Sequence, residues 1–169
     1  MSFIRPKKIK GSQYAYLVEN KWTAKGPRQK VTKYIGKIIE GPQRSDTPFP
    51  TVELGRISYP DALRALLEWN LLSLGFSVDG TLYRLGDIIV DLLTFTVKNK
   101  AGKEAIIRVK VKEDPGYLCT ITLQNLLNFT MIGTEEKVGY SFARAFVDGG
   151  ILVPQEVFVR VFEKIFKSE

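Results

Sequence analysis

Between Phe3 and Ile35 short stretches broken by glycine-containing turns, two of them (residues 13–19 and 28–35) sorting their side chains onto two faces with a period of two, read as strands. Residues 3–10 read as a first strand, ended by Gly11-Ser12. Residues 13–19 read as a second, with Tyr14, Tyr16 and Val18 on one face and Ala15, Leu17 and Glu19 on the other. Residues 20–27 read as a polar turn carrying Trp22, Lys25 and Gly26. Residues 28–35 then form a third strand closed by Gly36. Strict alternation there places Arg28, Lys30, Thr32 and Tyr34 on one face and Gln29, Val31, Lys33 and Ile35 on the other. Three short strands joined in this way pair as an antiparallel meander with one thin core face, leaving the second face free to display side chains.

Charge is concentrated on this meander. Residues 1–44 hold eleven Lys or Arg against two acids, Glu19 and Glu40, a net +9. Residues 45–169 hold 14 bases against 16 acids, a net −2, so the whole positive excess of the +7 chain lies in its first quarter. Such asymmetry points to a module that meets a polyanion. The expected nucleic-acid-binding side chains are Lys7, Lys8, Lys10, Lys21, Lys25, Arg28, Lys30, Lys33 and Lys37 as phosphate-neutralising cations, with Tyr14, Tyr16, Trp22 and Tyr34 as rings for bases or sugars. A two- or three-stranded β-ribbon also fits the major groove of duplex DNA.

The stretch FIRPKKIKGSQYAYLVENKWTAKGPRQKVTKYIGKI resembles the N-terminal segment of insertion-sequence DDE transposases and related archaeal proteins. The residues that carry the likeness are Tyr14, Tyr16, Leu17, Val18, Glu19, Arg28, Gln29, Lys30, Tyr34, Gly36 and Lys37. The resemblance implies a DNA-associated module of mobile-element or viral origin in an archaeon. It contains no catalytic residue and covers about a fifth of the chain.

Residues 41–56 have a linker composition, with Pro42, Pro48, Pro50, Gly41 and Gly55, so the basic module (residues 1–40) is expected to move against residues 57–169 unless that segment packs down. The second part reads as mixed α and β. Ser58, Pro60 and Asp61 mark a helix start, and Leu63, Leu66, Leu67, Leu71 and Leu74 recur at core spacing up to Gly75. Residues 76–85 read as a hairpin turning at Asp79-Gly80. Residues 87–99 and 104–112 read as the arms of a second, and Asp114-Pro115-Gly116 as the end of the sheet. Helices are expected over residues 120–129, 134–147 and 154–167. The fold class is therefore α+β: a three-stranded basic module, then hairpins with about four helices, a ribonuclease-H-like arrangement being one form it could take. The last helix carries Val157, Phe158, Val159, Val161, Phe162, Ile165 and Phe166. It is apolar around most of its circumference, which suits burial or homodimerisation better than a DNA groove.

Several chemistries are closed to this composition. With no histidine there is no Ser-His-Asp triad, Cys-His pair or histidine-ligated metal, and with Cys119 alone no internal disulfide. Neither a phosphate-binding G-x-x-x-x-G-K-[ST] loop nor a G-x-G-x-x-G turn occurs. The alternatives to a DNA-binding protein without a cofactor are an RNA-binding β-module, which differs only in substrate, and a Mg²⁺- or Mn²⁺-dependent nuclease built on carboxylates. Asp91 is its candidate catalytic residue. Asp87 and Asp91 are its candidate metal ligands, with Glu68, Glu113, Asp114, Glu135, Glu136 and Asp148 as further donors. On one strand Asp87 and Asp91 would stand about 13 Å apart, too far for a shared ion. No apolar run nears the roughly 18 residues of a membrane span, and residues 1–10 lack a secretory leader's apolar stretch, so a cytoplasmic, non-membrane protein is expected. The many Lys, Glu and Ile residues, with so little His and Cys, lean towards a thermophilic source.

Overall fold

The computed structural model describes residues 2–50 and 53–166. Among them nine strands and four α-helices form an α+β fold. Strands β1 (Ser2–Ile9), β2 (Ser12–Thr23) and β3 (Gly26–Glu40) make the expected antiparallel meander. Lys10 and Gly11, both with positive φ, close the first turn.

The meander differs from strict alternation in two ways. The expected turn over residues 20–27 is mostly strand: β2 continues through Trp22 to Thr23, and β3 restarts at Gly26, leaving a two-residue turn at Ala24-Lys25. The register also slips twice, between Ala15/Tyr16 and between Leu17/Val18. Tyr16 faces Tyr34 and Ala15 faces Gly36, so Ile35 is an extra residue in β3. Leu17 faces Lys33 and Val18 faces Val31, so Thr32 is another. Each bulge reverses the side-chain phase. Arg28, Lys30 and Lys33 thus share one face, while Gln29, Val31 and Tyr34 share the other. This corrects the grouping of Tyr34 with Arg28 and Lys30. Thr32 Oγ1 donates to the carbonyl of Leu17 at 3.1 Å across the bulge. Gly36, at φ 153°, does not close the strand. It takes the distorted backbone beside the Ile35 bulge, and β3 runs on to Glu40.

That extension joins the meander to the rest of the chain. Ile38, Ile39 and Glu40 pair in parallel with Ile106, Ile107 and Arg108 of β8 (Ile106–Val111), and β8 pairs antiparallel with β9 (Asp114–Leu118). The five-stranded order is β1-β2-β3-β8-β9. A small cluster of Ala15, Ile35, Ile38, Ile106 and Cys119 lies on one side of this sheet, with Ile4, Leu17, Tyr117 and Ile121 at its margin. Asp114-Pro115-Gly116 does not end the sheet; it forms β9 itself. Pro115 is tolerated because β9 is an edge strand that loses no ladder bond on its open side.

The second sheet is a four-stranded meander of β4 (Ser77–Asp79), β5 (Leu82–Leu85), β6 (Ile88–Asp91) and β7 (Thr96–Asn99). The single strand expected over residues 87–99 is two strands, folded back at residues 92–95, where Phe95 is buried at φ 53°. Of the hairpin expected between residues 87–99 and 104–112, only one bridge between Lys98 and Glu104 remains, since β8 leaves for the larger sheet.

The helices are α1 (Tyr59–Ser73), α2 (Thr120–Leu127), α3 (Glu135–Asp148) and α4 (Gln155–Phe166). Ser58 caps α1 by accepting from the Asp61 backbone N–H, as expected. The leucines of α1 meet buried side chains from β5–β9 and α2–α4 in the main core. Phe142 of α3 is its aromatic centre, with Phe129 and Phe146 rings at 4.8 Å and Phe158 at 5.6 Å.

The proline-rich segment is packed down. Arg44 sends Nη1 to Asn70 Oδ1 (2.6 Å) and Ser73 Oγ (3.1 Å), and Nη2 to the Gly150 carbonyl (2.9 Å). Trp69 Nε1 donates to the Thr47 carbonyl, and Phe49 meets the Trp69 ring edge-on. The chain from β3 into α1 is therefore tied to the body at several points.

Gly116 shows how closely the layers approach. A Cβ there would sit 2.2 Å from the Val147 carbonyl oxygen and 2.3 Å from the Gly150 nitrogen. Gly116→Ala should therefore lose about 1–3 kcal/mol of stability through forced backbone separation, read as a lower urea midpoint.

Candidate nucleic-acid interface

Past the Ser2–Glu19 row, among the described residues, β2 and β3 continue as a two-stranded ribbon with four paired rows: Asn20–Gln29, Lys21–Arg28, Trp22–Pro27 and Thr23–Gly26. At about 3.4 Å per residue it stands about 13 Å clear of β1, before the turn is counted. Thr23 Oγ1 steadies the turn by donating to the Gly26 carbonyl and accepting from Lys25 N–H. Residues 20–25 and 27–30 are all exposed, and Trp22 keeps 83% of its surface open. An indole so placed adds nothing to a core and is open to contact by a ligand.

The bulges sort the side chains of this unit. One face carries a ladder of cations, with Lys21 opposite Arg28, Lys30 opposite Glu19, and Lys33 opposite Leu17. Lys8, opposite Gln13, lies on the same face. The other face carries rings between cations, in the rows Arg5–Tyr16–Tyr34 and Lys7–Tyr14–Lys37. Tyr34 lies 5.3 Å from Tyr16 and 6.4 Å from Tyr14, centroid to centroid. Lys10 and Lys25 sit in the turns at opposite ends. All thirteen side chains singled out in the sequence thus lie on one three-stranded unit, divided between two faces and two turns.

Arg5 was not among the thirteen. It stands in the ring row and donates to Gln29 Oε1 at 2.5 Å across the sheet. Its two-residue spacing from Lys7 was the available signal. None of the eleven cations of residues 1–44 is ion-paired among the described residues. The acid Glu40 turns instead to Arg108, at 3.4 Å.

The carboxylates are dispersed. Asp87 lies in the turn before β6 and Asp91 ends β6, in the smaller sheet. Asp87 pairs with Lys100 at 2.9 Å, and Asp91 Oδ1 accepts from the Leu93 and Thr94 backbone N–H groups at the turn. Asp148 pairs with Arg144 at 2.9 Å, and burial holds its carboxyl above the usual range. Burial, with a hydrogen bond to Glu68, pushes the Tyr83 hydroxyl up to about 12. Glu113 is in the β8–β9 turn, Asp114 starts β9, and Glu135 and Glu136 occupy the first turn of α3. Among the described residues no group of three or more Asp, Glu, Cys or His side chains could hold a metal ion.

Compared with known proteins, the chain matches no protein family, no curated protein and no solved structure. No helix among the described residues is long and apolar enough to cross a membrane.

Cys119 is fully buried at the start of α2, and burial raises its thiol above the ordinary value. A thiol-specific reagent at pH 8 should leave the native protein unmodified and label Cys119 once urea unfolds it, as intact mass will report.

Proposed function

We propose that this protein binds nucleic acid, with DNA as the polymer, through the basic three-stranded unit and its projecting ribbon. The observation that carries the reading is the ribbon itself. It bears Lys21, Lys25 and Arg28 with no acid between residues 20 and 39, and no ion pair among the described residues uses its charge. A polyanion gains from each such cation by releasing condensed counterions. The shape agrees with the charge, because a two-stranded ribbon is narrow enough to lie along a single strand or to enter the major groove of B-DNA. The resemblance of residues 3–38 to the N-terminal segment of DDE transposases favours DNA over RNA and a mobile-element origin.

The rest of the chain fits the role of a mounting. Its slightly acidic surface would be repelled by the same polymer, which orients the basic unit towards it. Contacts of this kind are to the backbone, so affinity should depend strongly on salt and weakly on base sequence.

Fluorescence anisotropy across a salt series tests this. Lys21→Glu with Arg28→Glu should weaken binding about tenfold or more for all sequences alike, and flatten the plot of log affinity against log salt by about one unit per lost phosphate contact. Replacing residues 21–28 with an Asn-Gly turn keeps the β1–β2–β3 register up to Glu19 and should have the larger effect. Undiminished binding by that variant would overturn the proposal.

A further inference from the structure

The two faces of the basic unit differ in chemistry, and the difference bears on which form of nucleic acid is bound. Resting on the nucleic-acid reading, we infer that the ring face is a platform for unpaired bases, so that the preferred ligand is single-stranded. On this face Tyr34 is 53% exposed and Val31 57%, beside half-buried Tyr14 and Tyr16. The Tyr34 ring is tilted 36° to Tyr14 and 52° to Tyr16, so the three do not close on each other in a stack and the exposed side of Tyr34 stays open.

Cations flank the rings on this face. Lys7 and Lys37 border Tyr14, and Arg5 borders Tyr16, in rows about 6.8 Å apart along the strands, with neighbours within a row about 4.8 Å apart. A depression of about 290 Å³ opens between them, lined by Arg5, Pro6, Lys7, Tyr16, Val18 and Val31. It offers a base an apolar surface in Val31, backed by the buried Val18, and a charged rim for its phosphate. Trp22 continues the same face four residues beyond Val18, towards the tip of the ribbon. Bases inside a duplex present no free ring face and cannot use this surface; unpaired bases can.

The opposite face has cations without rings. It meets phosphates of either form equally, which allows the two faces to be separated by experiment.

The full-length protein is titrated with an oligo(dT) of about twenty nucleotides and with a duplex of equal length. Wild type should bind the oligo(dT) about tenfold or more tightly than the duplex. Tyr34→Ala and Trp22→Ala should each lose about tenfold on the oligo(dT) and nothing on the duplex, while Tyr34→Phe, which keeps the ring, should restore the wild-type value. Lys21→Glu with Arg28→Glu should lower both. Intrinsic fluorescence gives a second readout. Oligo(dT) should quench Trp22 emission, and Trp22→Phe should remove the change although the buried Trp69 remains. Equal or tighter binding to duplex, or ring variants that weaken both ligands alike, would overturn the inference while leaving the nucleic-acid reading standing. No binding to either polymer would remove both. A free protein that sediments as a dimer and becomes monomeric in Trp22→Ala would assign the rings to a second copy and overturn the platform.

Discussion

The architecture depends on one buried polar node, where Arg44 meets Asn70. Asn70 sits fully buried in the leucine-rich helix α1, a position where an unpaired amide would cost heavily. It is satisfied on every side. Its Nδ2 donates to the carbonyls of Leu66 (2.8 Å) and Leu152 (3.0 Å), and its Oδ1 accepts from Leu152 N–H (2.9 Å) and Arg44 (2.6 Å). Arg44 has no carboxylate partner. Burial lowers its guanidinium to about 10, and the neutral acceptors around it supply the hydrogen bonds that water would have given. One polar centre therefore fixes the exit from β3, the helix α1 and the loop before α4. With the Trp69–Thr47 bond and the Phe49–Trp69 contact, it holds down a segment whose composition alone suggests a linker.

That anchorage matters to the proposed function. A basic arm on a free tether binds through local concentration alone. An arm continuous with a packed sheet presents its cations and rings in fixed rows, and loses less conformational entropy on contact. The parallel pairing of β3 with β8 supplies this continuity, and the two bulges set which side chains each face shows. The ribbon itself remains narrow and solvated, free to enter a groove or lie along a strand.

Much of this could be read from the residues. Glycine punctuation and period-two alternation located the meander, the Ser58–Asp61 cap and the leucine spacing located α1, and the charge count located the basic unit. Three features were hidden for physical reasons. The bulges at Thr32 and Ile35 leave the composition of the strand unchanged and alter only its pairing, so alternation assigned Tyr34 to the cation face. The adjacent pair Tyr34-Ile35 before Gly36 is the trace such a phase change leaves. Residues 104–112 looked like the partner of the strand before them, because local pairing is the default expectation; β8 instead pairs with β3, far earlier in the chain, and with β9 just after it. The packing of residues 41–50 turns on Arg44 and Asn70, which no local pattern brings together.

The β3–β8 junction also shapes how the molecule is made. Both meanders are assembled from neighbouring segments and can form quickly. The junction joins residues 68 positions apart, as in the Glu40–Arg108 pair, and the Arg44–Gly150 bond spans 106. Closing such loops costs entropy before the contacts return it. The basic unit can therefore take shape on the emerging chain well before β8 exists to receive it. During that interval the parallel edge of β3, with Ile38 uncovered and its backbone unpaired, is open to unwanted strand pairing, and β8 is what seals it.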